Sequence, residues 1–412
     1  MKIGEFAKKF NTNISTVRYY VNHGLIVPSK KSEHFDFDKG CAKDMETILR
    51  YKHYYFSIEE IQLLLFLERT SRFKDDVILD LCAGIMEKKK SELIKERRNL
   101  DESITKLQAE IEMLPDVPEA ANFIKGIPFS FIPNLYCPHC QVPLKLDSAS
   151  ISDGYLVSGE LWCSCGYKST IKDGILLCEK HYEDTPFKSF KNIESIICML
   201  EDFSSTYRML VEKSYIYIHN KIEKHLKEPG LILSGPFQFN FLLSFIERLD
   251  KKNTYVIVDP SKRRIEKMWK YLNELSCDIV FIAGDLSDVP IRNSSVDVYL
   301  DDYSVTNSLF TFNTFSAEKI SELLKRSGIV TGVFGSYKKA PKSLTSFRDI
   351  QPDFEPKVMT LNNLKYCWHQ SGIGMKEVKS IGFTSSSEKD YSHDVPGEQL
   401  EIVAYFAEKE KR

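Results

Sequence analysis

The sequence predicts a multidomain chain: an all-α, winged helix–turn–helix opening with a long coiled-coil helix, a small β-rich metal ribbon, and a doubly wound α/β domain. Three observations predict it. A pair of short helical stretches with clear caps opens the chain. Two tight cysteine pairs sit in its middle. Strand-like and helix-like runs then alternate regularly from Gly230 onward. A length of 412 residues suits several domains, and 42% hydrophobic content is ordinary for globular protein. The net charge of −2 does not itself point to nucleic acid, but residues 1–31 hold Lys2, Lys8, Lys9, Arg18, Lys30 and Lys31 against Glu5 alone. Such a local positive face can meet phosphate in an otherwise balanced chain.

The first element is the helix pair. Ile3, Phe6, Ala7 and Phe10 have helical spacing. Asn11 tolerates positive φ, and Asn13 is a good N-cap for a second helix reaching about His23. Gly24 ends that helix and Pro28 follows. A basic second helix of this kind lies in the major groove of a DNA duplex. Ser15, Thr16, Arg18, Tyr19 and Tyr20 on it, with Lys30 and Lys31 in the following loop, form the expected DNA-binding set. The alternative is a plain helical hairpin with solvated lysines. Residues 1–72 form this expected domain.

The second element, residues 73–115, is a single long helix. Met86, Leu93, Leu100, Leu107 and Leu114 recur every seven residues, with Lys90, Arg97, Ile104 and Ile111 on the complementary seam. A heptad seam needs a partner helix, which predicts a homodimer unless the seam packs on its own chain. Pro115 and Pro118 close the segment.

The third element, residues 116–182, carries "YCPHC" and "LWCSCGYKSTIKDGILL". Cys137, Cys140, Cys163 and Cys165 are the expected ligands of a structural Zn²⁺, since four thiolates suit its tetrahedral preference and leave no open position for catalysis. Buried thiols or a redox pair are the alternatives. Cys178, His139 and His181 are the nearest substitutes. A charged, amphipathic N-terminus and no apolar run long enough to span a membrane predict a soluble, cytoplasmic protein, and in that reducing setting ten cysteines point to thiols or metal and not to a disulfide framework.

The fourth element, residues 183–412, alternates "LILSG", "TYVIVDP", "DIVFIAGDL", "VDVYLDD" and "GIVTGVFGSY" with helical runs, and ends in two strands expected to pair antiparallel at an edge. Ligands of such sheets bind beyond the carboxyl ends of the strands, where the strand order reverses. Asp259, ending the second strand, can accept from both hydroxyls of a ribose. Asp285, after the third, can accept from an adenine amino group. Each could instead cap the turn that follows it. Gly235, Phe237, Phe239, Leu286 and Asp301 complete the expected ligand-binding set. No catalytic residue is assigned.

"IGEFAKKF", "STVRYY", "GLIVP" and "FSIEEIQLLL" (Phe56 to Leu65) resemble the MerR family of bacterial transcription regulators over about the first 70 residues. The resemblance implies a winged helix–turn–helix dimer, its long helices antiparallel, reading a pseudo-palindromic promoter, with RNA polymerase as a partner. His34-Phe35-Asp36 stands where that family usually has Gly-Tyr-Arg in the wing. Cys165 to Ile175 looks like the zinc-binding segment ahead of some bacterial rRNA methyltransferase domains.

"GDLSDVPIRNSSVDVYLDD" and "VDP" resemble class I S-adenosylmethionine-dependent methyltransferases, over about Asn192 to Lys409. This implies a Rossmann-like domain with S-adenosylmethionine as its cofactor. The first motif of that family, an acid followed by Gly-x-Gly-x-Gly, departs here. Aligned on Gly235, Leu233 replaces the acid and Phe237 and Phe239 replace the later glycines. Pro236 also lacks an N–H. A lost charged hydrogen bond weakens affinity by about ten- to over a hundred-fold. The favoured expectation is therefore a DNA-binding regulator whose altered methyltransferase-like domain senses a small hydrophobic or aromatic molecule. The alternative is an active S-adenosylmethionine-dependent methyltransferase fused to a DNA-binding module.

Overall fold

The computed structural model describes residues 1–31, 34–71, 75–114, 125–181, 204–236, 240–245, 248–272, 277–337, 342–349, 351–385, 395 and 397–410. It forms two compact units, Met1–Val117 and Pro118–Arg412.

The first unit opens with α1 (Ile3–Lys9) and α2 (Ile14–Asn22). Asn11 takes a positive φ between them, and Asn13 caps α2 by accepting from the Thr16 N–H at 2.7 Å. Gly24 takes the left-handed conformation that ends the helix. The unit is not all-α: β1 (Ser29–Lys31) and β2 (His34–Asp36) pair antiparallel as a hairpin. Then come α3 (Lys39–His53) and α4 (Ile58–Ser71). Phe6, Val17, Leu25, Ile26, Phe37 and Met45 are buried together, with Phe6 stacked on Phe37.

The long helix α5 spans Asp76–Glu112, 37 residues or about 55 Å at 1.5 Å per residue. Asp75 caps it by accepting from Val77 and Ile78. Its first turns pack on the unit through Cys82, Ile78 and Ile85. Its second half does not pack: Leu100, Ile104, Leu107 and Ile111 are between 58% and 63% exposed.

In the second unit one sheet of 12 strands runs throughout. Its centre is parallel and in the order β11 (Val296–Asp302), β8 (Leu231–Ser234), β9 (Thr254–Asp259) and β10 (Asp278–Ala283). β12 (Leu324–Tyr337) lies outside β11 and parallel to it. β14 (Gln399–Lys409) pairs antiparallel with β12, and β13 (Ile373–Ser385) with β14, so the expected late antiparallel pair is present and β13 is an edge. Near-continuous apolar runs in the central strands reflect burial on both faces. Covering helices include α6 (Ser205–His225), α8 (Lys262–Leu272) between β9 and β10, α9 (Ser304–Phe312) and α10 (Ala317–Leu323) between β11 and β12, and α12 (Leu361–Gln370) before β13. Two short helices are α7 (Asn240–Ser244) after β8 and α11 (Lys342–Ser346).

The cysteine segment is not separate from this sheet, contrary to the expected division at 182/183. Its strands β3 (Ile127–Pro128), β4 (Lys145–Ser152), β5 (Tyr155–Trp162), β6 (Lys168–Lys172) and β7 (Ile175–Leu177) continue it, and β7 pairs parallel with β10 in the register Phe281 to Ile175. The reason is physical. β10 would otherwise present a row of unpaired backbone groups, and β7 satisfies them.

Candidate functional sites

The strand order reverses between β8 and β11, so a ligand cleft is expected beyond their carboxyl ends. Gly235 follows β8 there. A Cβ on it would lie 2.2 Å from Tyr299 Oη and 2.3 Å from Ser304 Oγ. The glycine is thus demanded by the chain's own packing, whatever else approaches it. Leu233, in the place of the motif acid, is fully buried in β8. Phe237 and Phe239 lie outside the described residues.

Asp259 does end β9, but it is committed. One oxygen accepts from the Ser261 N–H at 2.9 Å, and the other lies 3.3 Å from Arg264 Nη2. Both side chains of this ion pair are at most 2% exposed. The sequence-level assignment of Asp259 to a free ribose site missed Arg264. The available signal was a basic pair, Arg263-Arg264, in the first turn of the helix after the strand. Asp285 takes the capping role left open above: Oδ1 accepts from the Ser287 N–H and hydroxyl. Leu286 beside it is buried.

Asp301 requires correction as a ligand-facing residue. It is fully buried and accepts from Tyr405 Oη (2.6 Å), Ser304 Oγ (2.9 Å) and the Val305 N–H (2.9 Å). Tyr299 joins the network through Ser304. Each polar group satisfies another, so the cluster ties β11, β14 and α9 together. Asp302 accepts from the Phe241 N–H and links β11 to α7. Burial pushes the Asp301 carboxyl up to about 6. An unfolded aspartate titrates near 3.9, so the folded state prefers the protonated acid. The resulting stabilisation is present below about pH 4 and lost as pH rises through 6. Relative to Asp301→Asn, the native chain should lose on the order of 3 kcal/mol between pH 4 and 7, read as the difference in urea-unfolding midpoints. A difference that stays flat across this range would show that Asp301 is not held this way.

The four predicted metal-ligating thiols do come together. The sulfurs of Cys137, Cys140, Cys163 and Cys165 lie within 4.8 Å of one another, with Cys137 to Cys165 and Cys140 to Cys163 both 3.4 Å. Two tight turns place them. Gln141 N–H donates to Cys137 C=O and Gly166 N–H to Cys163 C=O, with Gln141 and Gly166 at positive φ. Burial pushes the Cys137 thiol up to about 12, whereas the Cys165 N–H donates to Cys163 and draws it down to about 7. Four sulfurs around a Zn²⁺ at about 2.3 Å would stand about 3.8 Å apart, so the donor set and spacing fit such an ion. His139, His181 and Cys178 are outside the cluster.

On α2, Ser15, Arg18 and Tyr19 are exposed and Thr16 partly so. The Ser15 and Thr16 hydroxyls donate to Asn13 Oδ1, at 2.6 and 2.8 Å, so both serve the cap. Tyr20 corrects the expected DNA-binding set: it is buried in the core, because it faces inward three residues from Val17. Lys30 and Lys31 pair with Phe35 and His34 in the hairpin.

Residues 2–34 match the family described as MerR family regulatory protein. No curated protein matches the chain. Among solved structures, the chain is similar to a putative methyltransferase from Bacillus halodurans, with 11% identity and a TM-score of 0.35 over 47% of this chain and 99% of that one. It is similar to a putative sarcosine dimethylglycine methyltransferase from Galdieria sulphuraria, with 12% identity and a TM-score of 0.37 over 48% and 86%. A geranyl diphosphate C-methyltransferase from Streptomyces coelicolor is a further likeness, at 12% identity and a TM-score of 0.37 over 57% and 89%. Among the described residues, no helix is long and apolar enough to cross a membrane.

Proposed function

We propose that the chain is a DNA-binding transcription regulator of the MerR type, acting as a homodimer on double-stranded promoter DNA with RNA polymerase as partner. Its methyltransferase-like α/β unit senses a small apolar or aromatic molecule and does not use S-adenosylmethionine in the conventional way. The match at residues 2–34 supports the first part, and the exposed Arg18 and Tyr19 on α2 are the side chains best placed for DNA. The observation that carries the second is the buried Asp259–Arg264 pair. The carboxylate that a cofactor's ribose would need is already engaged inside the protein, and taking it away would break a buried ion pair. Leu233 adds no charge for the cofactor's amino-acid end. The four cysteines hold a structural Zn²⁺, with all positions filled by protein.

Dimerisation rests on α5. The apolar seam of its second half is exposed, and the first half lines a groove of about 920 Å³ with Tyr51, Tyr54, Phe56, Met86 and Leu93. Lys89 on the groove pairs with Glu60 and Glu92 and Lys90 with Glu87, so its positive charge comes from Arg50 and Arg97. Residues 100–114 hold Asp101, Glu102, Glu110 and Glu112 against Lys106 alone. An antiparallel second copy matches apolar surface to apolar surface and acid to base. A ligand that binds one state of this dimer better than another shifts its DNA occupancy by linkage.

Two measurements test the reading. Footprinting on the chain's own promoter should show paired half-sites about one or more helical turns apart. Calorimetry with S-adenosylmethionine should give no binding tighter than about 1 mM. A stoichiometric complex at micromolar affinity would favour the alternative, an active methyltransferase joined to a DNA reader.

A further inference from the structure

The residues flanking the cysteines do more than close two turns. They reach the segment that follows β10, which carries Asp285 and Leu286. Tyr136 N–H donates to Pro290 C=O at 3.2 Å, and Arg292 N–H donates to Asn134 C=O at 2.9 Å. Asn293 N–H donates to Gln141 Oε1 at 2.8 Å, and Gln141 Nε2 donates to the Cys137 carbonyl at 3.1 Å. Tyr167 Oη donates to Asp288 C=O, and His139 Nε2 lies 3.4 Å from Asp288 Oδ1. The Arg292 guanidinium covers the Tyr136 ring.

These contacts have a direction. Within the segment, Asp288 and Ile291 N–H groups bond locally, to Asp285 and Val289. The Arg292 N–H finds its acceptor at Asn134, three residues before Cys137, and the Asn293 N–H finds its acceptor at Gln141, in the first knuckle. Gln141 directly follows Cys140 at positive φ, and its side chain bridges the Cys137 carbonyl and the Asn293 N–H. Asn293 is partly buried, so its N–H is shielded from exchange only while it keeps that acceptor.

We propose that the cysteine knuckles are a latch for residues 288–293, so that metal occupancy sets the conformation of the connection from β10 to β11. Gln141 is its positioning residue. This rests on the reading of the four thiols as a metal centre. Loss of the ion lets the turns at Cys137–Gln141 and Cys163–Tyr167 relax, which removes the acceptor of Asn293 and loosens residues 134–136, which lead into Cys137 and hold Arg292. The central strands keep their own ladder and are spared.

Hydrogen–deuterium exchange of the full chain tests this, with zinc content measured by mass spectrometry on the same samples. After chelation to zero zinc, the Arg292 and Asn293 amides should exchange at least about 30-fold faster, while those of Val256 to Val258 in β9 stay unchanged. Gln141→Ala with zinc retained should speed Asn293 by about three- to tenfold and spare β9. Gln141→Glu keeps an acceptor for Asn293 and should restore its protection. The latch is overturned if the two amides stay protected in zinc-free protein, if the whole sheet loosens together on chelation, or if Gln141→Ala leaves Asn293 unmoved. A chain that takes up no zinc defeats the metal-centre reading, and the Gln141 variants then separate that failure from failure of the contact itself.

Discussion

Replacing Ile104 and Leu107 together by Asp should convert the protein from a dimer to a monomer and weaken binding to a two-half-site promoter by about 10²–10⁴-fold. Both residues lie on the unpacked half of α5, at 63% and 58% exposure, so their removal costs the single chain little. A carboxylate on the seam would have to be desolvated against the partner, and Asp101 and Glu102 nearby already make this half acidic. The DNA penalty follows from geometry. When one half-site is bound, the second binding step is intramolecular only while the two readers are joined. Light scattering reads the mass and fluorescence anisotropy reads the affinity. A variant that remains dimeric with unchanged DNA affinity would show that this seam is not the interface. Thermal unfolding of the monomer should stay cooperative, with a Tm that no longer depends on protein concentration, which separates lost association from lost folding.

How much of this was legible in the sequence varies with the range of the interactions involved. Local chemistry read well. Asn13, Asn11 and Gly24 act through backbone groups within three residues, so their roles follow from residue type and position. The cysteine spacing likewise anticipated a cluster, because each pair is closed by its own turn. Alternating apolar runs anticipated the mostly parallel sheet. Long-range pairing was not legible. Nothing local in Ile175–Leu177 says that this strand joins β10, since an edge strand accepts any chain with a matching twist and register. Tyr20 was misplaced for a related reason. An aromatic on an amphipathic helix suits a groove and a core equally, and only the packing of Val17, Leu25 and Ile26 decides. Asp301 at a strand end has the address of a ligand residue. Tyr405, which claims it, lies 104 positions away. Asp259 and Asp301 were thus placed correctly at strand ends, but the partners that engage them come from other elements.

Substituting Arg264 by Ala should destabilise the α/β unit by about 3–5 kcal/mol, because it breaks an ion pair in a site that is almost fully buried. Trp162, Trp269 and Trp368 are the chain's three tryptophans and all lie in this unit, so urea unfolding followed by tryptophan fluorescence reports it selectively. Asp259→Asn added to Arg264→Met removes both charges, keeps an acceptor for the Ser261 N–H and retains apolar volume at position 264. This double variant should recover most of the loss, and the cycle of single and double variants then gives the coupling between the two side chains. The same proteins decide the use of the cleft. If Asp259 were a working ribose ligand, freeing it from Arg264 would raise S-adenosylmethionine affinity even as stability falls. If the carboxylate serves the fold, calorimetry should detect no binding in either the native chain or Arg264→Ala. A variant that is as stable as the native chain and binds the cofactor would remove the reason for reading the α/β unit as a sensor, since the buried pair would then be a gate on the cofactor site and not a replacement for it.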